Sequence, residues 1–165
     1  MRNILVGTAM VVLVIALSAC QQQTKTVAKE PVIKVEGGQM TLDQLGKTQP
    51  GLGVLMMRIG QRYTTAYYAA KAGKWELTTY EFEEMKEDLE TGGITRPKRK
   101  AALDKFLGGS ALADLEQAAK DKDGVAFGAA FDNTVKACNA CHDTADKKFI
   151  RYELPTAAPN LPSLK

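Results

Sequence analysis

The sequence predicts an all-α fold, an antiparallel four-helix bundle, on three observations. From Gly51 onward, apolar residues recur at spacings of three and four in four successive runs, the period of a helix with one buried face. Glycines punctuate the ends of the first three helical stretches, at Gly73, at Gly92-Gly93 and at Gly108-Gly109. No βαβ alternation is visible. The length of 165 residues fits one domain plus a targeting segment, and 45% hydrophobic residues suffice for a core. A net charge of +3 is too weak to argue for nucleic acid or an acidic membrane patch, and no nucleic-acid motif is present.

Residues 1–19 read as an export signal, with Arg2 as the positive region and a nearly unbroken apolar run from Ile4 to Leu17. Leu17-Ser18-Ala19-Cys20 resembles the bacterial lipobox, in which a dedicated peptidase cuts before the Cys and that Cys carries lipid. Two plainer readings stand beside it: a soluble-protein signal cut near Ala19, or an uncleaved anchor, for which the apolar run is short. If Cys20 is lipidated, several acyl chains would anchor the protein stably to the cell envelope. Gln21, rather than Asp, follows the Cys and favours the outer membrane in a Gram-negative cell, with the domain facing the periplasm. Residues 20–50 read as the lipidated tether, polar at first and then broken by Pro31, Gly37, Gly38, Gly46 and Pro50, with one helical turn between Met40 and Leu45.

Residues 51–165 make the bundle. The first helix runs from Gly51 to Ala72 on Leu52, Leu55 or Met56, Ile59, Tyr63, Ala66 and Ala70. A second face carries Gly53, Met57, Gly60 and Thr64, small residues that leave room for a ligand or let helices pack closely. The second helix runs from Trp75 to Glu90, with Trp75, Thr79, Phe82, Met85 and Leu89 inward. Its acidic residues Glu81, Glu83, Glu84, Glu87 and Asp88 read as a solvated surface or, less simply, a patch for a basic partner. A basic connection, Arg96-Pro97-Lys98-Arg99-Lys100, precedes a short helix from Ala101 to Leu107. Ser110 is the expected N-cap of the third long helix, with Leu112, Leu115 and Ala119 inward. Asp121 or Asp123 caps the fourth, whose stripe is Phe127, Phe131, Val135, Cys138, His142, Ala145 and Phe149. The Pro-rich tail from Leu154 reads as irregular, wrapping the domain without joining its core.

The chemistry-bearing stretch is Cys138-Asn139-Ala140-Cys141-His142, the C-x-x-C-H signature of covalent c-type haem attachment. Two thiols add across the two vinyl groups of one porphyrin, and the following imidazole reaches the iron from the same side. Positions i, i+3 and i+4 share a helix face, so Cys138, Cys141 and His142 can address one flat ligand. His142 is the only His in the chain. A redox C-x-x-C pair would sit beside a βαβ pattern, and half of a zinc site would need ligands beyond the remaining Cys20.

Four amphipathic helices with this motif on the last resemble the class II cytochromes c, the cytochrome c prime group. Class I members carry the motif near the N-terminus and a Met ligand late in the chain. The resemblance covers Gly51 to Phe149, and Cys138 to His142 is its most specific part. A branch of exported class II-like haem proteins is matched by Met57 with Gln61, by Trp75-Glu76-Leu77 with Tyr80-Glu81, and by the motif with Phe149-Ile150. The resemblance implies one haem c near one end of the bundle, with His142 as proximal iron ligand. It implies a sixth iron position filled by a Met of the first helix, Met57 before Met56, or by nothing. The same methionines also read simply as core filler. Propionate partners fall among Lys147, Arg151 and the basic connection. A homodimer through the first two helices is a further implication, against which stands the acid-rich second helix.

The expected function is that of a membrane-tethered monohaem electron carrier serving a redox partner protein of unstated identity. The alternative is a five-coordinate haem protein that binds or senses NO or CO. Enzymatic, peroxidase-like chemistry ranks last, because it wants a distal acid–base residue and the chain has no second His.

Overall fold

The computed structural model describes residues 30–160, so the expected export signal, Cys20 and residues 161–165 lie outside the described part. The chain is mostly helical, with one small hairpin. Val32–Val35 (β1) pairs antiparallel with Gly38–Thr41 (β2), Val32 opposite Thr41 and Val35 opposite Gly38. The short run Val32-Ile33-Lys34-Val35 suits a strand, and Gly37 takes the turn at φ 78°, where a Cβ would be strained. A seven-residue helix, Leu42–Thr48 (α1), follows. The described part of the expected tether is therefore not irregular. Gly37 and Gly38 mark a hairpin turn rather than a run of spacer, and Gly46 lies within α1. The hairpin belongs to a unit ending at Leu42, and the remaining helices belong to a second unit from Asp43 on.

In the second unit, Leu52–Lys71 (α2) packs along Trp75–Thr95 (α3), and Ser110–Lys120 (α5) packs along Gly124–Thr144 (α6). The short Lys100–Leu107 (α4), entered through a tight turn at Pro97–Arg99, lies against α3 and α6. Contacts of α3 with α5 and of α2 with α6 close one core. Leu55, Phe82, Met85, Leu112, Leu115 and Phe131 are almost fully buried in it. Tyr63 of α2 stacks on Phe131 of α6 at 4.1 Å between ring centroids and donates its hydroxyl to the Phe131 carbonyl at 2.7 Å. Trp75 meets Phe127 edge-on at 5.8 Å. Since Trp75 follows α2 and Phe127 precedes Phe131, α2 and α6 run antiparallel. The end of α6 bearing the motif therefore lies toward the start of α2.

Three helix ends share one device. After α2, α5 and α6 the chain turns through Gly73 at φ 72°, Lys122 at φ 56° and Asp146 at φ 58°. In each, the next amide reaches back to a carbonyl of the last turn: Lys74 to Ala69 at 2.8 Å, Asp123 to Ala118 at 3.0 Å, Lys147 to His142 at 2.9 Å. The last of these ends α6 at Thr144, short of the expected Phe149, which is 79% exposed beyond it.

Three other expectations are corrected. Gly92 and Gly93 do not stop α3, which continues to Thr95; both are buried. A Cβ on Gly92 would come within 2.9 Å of Leu52 Cδ1, so the glycine admits α2 and α4 side chains against α3. Ser110 is not a cap: Gly109 holds that position without a side-chain bond, whereas Asp123 does cap α6, accepting from the Val125 and Ala126 amides. The acidic run on α3 is only partly solvated. Glu81 and Asp88 are 8% and 4% exposed, and Arg58 and Arg62 of α2 reach over to them.

Candidate functional site

Cys138, Cys141 and His142 occupy the last two turns of α6, all partly buried, with both thiols free. Each addresses different surroundings. Cys138 faces inward, near enough to the Tyr63 and Tyr152 phenols for its charge to act on both. Burial pushes its thiol up to about 12, and nearness to Cys141 adds to this. Burial also raises Cys141, against the opposing field of the Arg99 guanidinium. A catalytic dithiol needs the reverse, a lowered thiol pKa.

Cys141 opens onto a cleft of about 250 Å³ between α4, the start of α5 and α6, lined among others by Ala102, Lys105, Phe106, Ala137 and Ala140. The alanines keep this flank of α6 low. The volume is below the roughly 300–1,000 Å³ of typical ligand pockets. Among the described residues, no group of three or more His, Cys, Asp and Glu is arranged to hold a metal ion.

His142 Nδ1 lies 3.1 Å from the Ile150 carbonyl oxygen. A carbonyl only accepts, so Nδ1 carries a proton, and in the neutral ring Nε2 then holds the lone pair. This is the tautomer of a ligating imidazole, whose second nitrogen ordinarily donates to a carbonyl or carboxylate. Two free thiols beside an imidazole in that state fit the donor set that covalent haem requires.

The chain beyond α6 completes the site. Tyr152 and Leu154 pack against the core, so the tail does more than wrap the domain. The Tyr152 ring sits 3.8 Å from where a Cβ on Gly60 would be, meets Tyr63 edge-on at 5.2 Å and shares a 2.8 Å hydrogen bond with Thr64. Burial pushes its phenol up. Gly60 and Thr64 of the small-residue face thus receive a tyrosine of the same chain. Met57, on that face, stands 75% exposed, whereas Met56 packs against the core. Residue 57 lies about 150° around the helix from the stripe centred between Leu55 and Tyr63, which carries it outward.

The expected propionate partners separate. Arg151 donates to the Asn139 carbonyl at 3.1 Å and pairs with Asp143 at 2.6 Å, holding that carboxylate below its usual range. Lys147 lies over the Phe149 ring at 5.6 Å. Arg99 is the member of the basic connection whose charge reaches Cys141. Sequence reasoning missed Asn139, Tyr152 and Lys105. Lys105 carried no signal, while Asn139 was visible only as an unassigned position within the motif.

No protein-family model, curated protein or solved structure matches the chain. No helix among the described residues is long and apolar enough to cross a membrane.

Proposed function

We propose that this protein is a monohaem c-type cytochrome of the class II kind, an antiparallel four-helix bundle tethered by lipid on Cys20, carrying one electron in the bacterial cell envelope. The observation that carries this reading is the state of His142. Its Nδ1 is committed to the Ile150 carbonyl and its Nε2 is left as an open donor, one residue after the second of two spaced thiols. Haem held by Cys138, Cys141 and His142 would supply a one-electron couple whose potential depends on axial ligation and burial. The chain's own contribution is to place the imidazole, to wall the inner thiol with Tyr63 and Tyr152, and to bring cations, Arg99 and Lys105, to the Cys141 side. A small tethered domain then meets its redox partner at the envelope without diffusing away.

A haem stain on a denaturing gel of the exported full chain tests the attachment. Staining is expected in the native protein and lost in Cys138→Ala with Cys141→Ala. Staining that persists in the double variant, or is absent from the native protein, rejects the reading.

A second reading, a five-coordinate haem that binds NO or CO, is favoured by one observation: Met57 stands outside the core, largely exposed. Visible spectra decide between the two. A sulfur-to-iron charge-transfer band in the ferric protein with slow CO binding supports the Met-ligated carrier. Rapid CO binding without that band supports the gas-binding protein.

A further inference from the structure

Residues 150–152 each bond to α6, and they do so at the motif. The Ile150 carbonyl accepts from His142 Nδ1 at 3.1 Å. Arg151 reaches both the Asn139 carbonyl, at 3.1 Å, and Asp143, at 2.6 Å. Tyr152 is held at both its backbone groups by one side chain: its N–H donates to Asn139 Oδ1 at 2.8 Å, and its carbonyl accepts from Asn139 Nδ2 at 3.1 Å. The Asn139 amide thus acts as a peptide group in a two-bond ladder. Only this amide orientation satisfies both bonds, because the flipped one would set donor against donor and acceptor against acceptor. Farther along, the Tyr152 hydroxyl meets Thr64 at 2.8 Å and the Pro155 carbonyl accepts from Tyr68. The segment is a strap fastened to α6 by Asn139 and Arg151 and to α2 by Thr64 and Tyr68.

We propose that Asn139 is a positioning residue for His142: by clamping the strap it holds the Ile150 carbonyl where it fixes the imidazole tautomer and ring direction. The first free position of the C-x-x-C-H motif is then more than a spacer. Ile150 is two residues from the Tyr152 backbone that Asn139 grips, so the clamp sets the carbonyl's place through the single intervening residue, Arg151. Asp cannot reproduce it, because a carboxylate accepts from the Tyr152 N–H but cannot donate to its carbonyl. Asn139 acts only through the strap. The consequence for iron rests on the haem reading; the consequence for the tautomer does not.

Two measurements on the full chain separate those consequences. In the protein made without haem, ¹⁵N NMR in mildly alkaline solution reads the His142 tautomer. The native chain is expected to hold the proton on Nδ1, and Asn139→Ala to relax toward the mixture of a free imidazole. Tyr152→Phe, which keeps both backbone bonds and loses the hydroxyl, is expected to leave the tautomer unchanged. An Nε2–H tautomer in the native chain, or an unaltered Nδ1–H in folded Asn139→Ala, overturns the proposal. Should the Ala variant fail to fold, Asn139→Asp decides on the same terms, since it keeps one of the two bonds.

In the exported protein, Asn139→Ala is expected to keep its stainable haem while the loss of imidazole basicity shifts the preference toward the ferrous state. A shift of about tenfold is ~59 mV for one electron. Retained haem with an unchanged potential refutes the positioning role toward iron. Absence of haem from the native protein sinks the haem reading alone and leaves the tautomer result to judge the clamp.

Discussion

Arg62→Met tests how α2 is held to α3. The Arg62 guanidinium bonds Glu81 at 3.0 Å and Glu84 at 2.8 Å, with Asp88 at 3.6 Å from its Nε. Burial disfavours this cation, but the hydrogen bond and charge of Glu81, with the charges of Glu84 and Asp88, raise it above its ordinary value. Removing it leaves three carboxylates in one place. Asp88 keeps Arg58 at 2.6 Å, but Glu81 loses the only ionic partner the structure gives it among the described residues. Breaking a fully buried pair costs about 3–5 kcal/mol. The Arg62 side chain is 22% exposed and that of Glu84 29%, so water offsets part of this and about 2–4 kcal/mol remains. At about 4 °C per kcal/mol for a domain of this size, the midpoint falls by roughly 8–16 °C.

Thermal melts of both proteins by circular dichroism at neutral pH measure the difference. Arg62→Lys should recover part of the loss, since an ammonium lacks the fork that spans two carboxylates. A midpoint unchanged in Arg62→Met would refute the reasoning.

Two smaller changes test the two ends of α6. Asp123→Ala removes the side-chain acceptor for the Val125 and Ala126 amides, at 2.9 and 3.0 Å, and should cost about 1 kcal/mol in urea denaturation. Asp146→Gly relieves a left-handed residue at φ 58° and should stabilise by about 0.5–1 kcal/mol by the same assay, without moving the His142 tautomer.

The periodicity of the chain was enough to locate the long helices, because burial of one face repeats every turn and leaves its trace in the order of residues. Leu55, Ile59, Phe82, Met85, Leu112, Leu115, Phe127 and Phe131 were all read as inward and all are buried. The motif's spacing likewise placed two thiols and an imidazole on adjacent flanks of one helix, since three- and four-residue separations are local geometry. Helix ends were less legible. Gly92 reads as a stop but is a packing site, and the difference lies in Leu52, forty residues away in the chain.

What only the tertiary structure decided is what each residue meets across the fold. The acids of α3 look like a solvated face until Arg58 and Arg62 are set opposite them. Met57 and Met56 are neighbours in sequence, yet helical rotation sends one to solvent and the other to the core. Asn139 carries no local signal because its partner is the backbone of Tyr152, whose sequence leaves no mark on the bond. The residues proposed to hold a haem were thus written along one helix. The strap that sets their imidazole comes from contacts thirteen residues apart, which no spacing rule records.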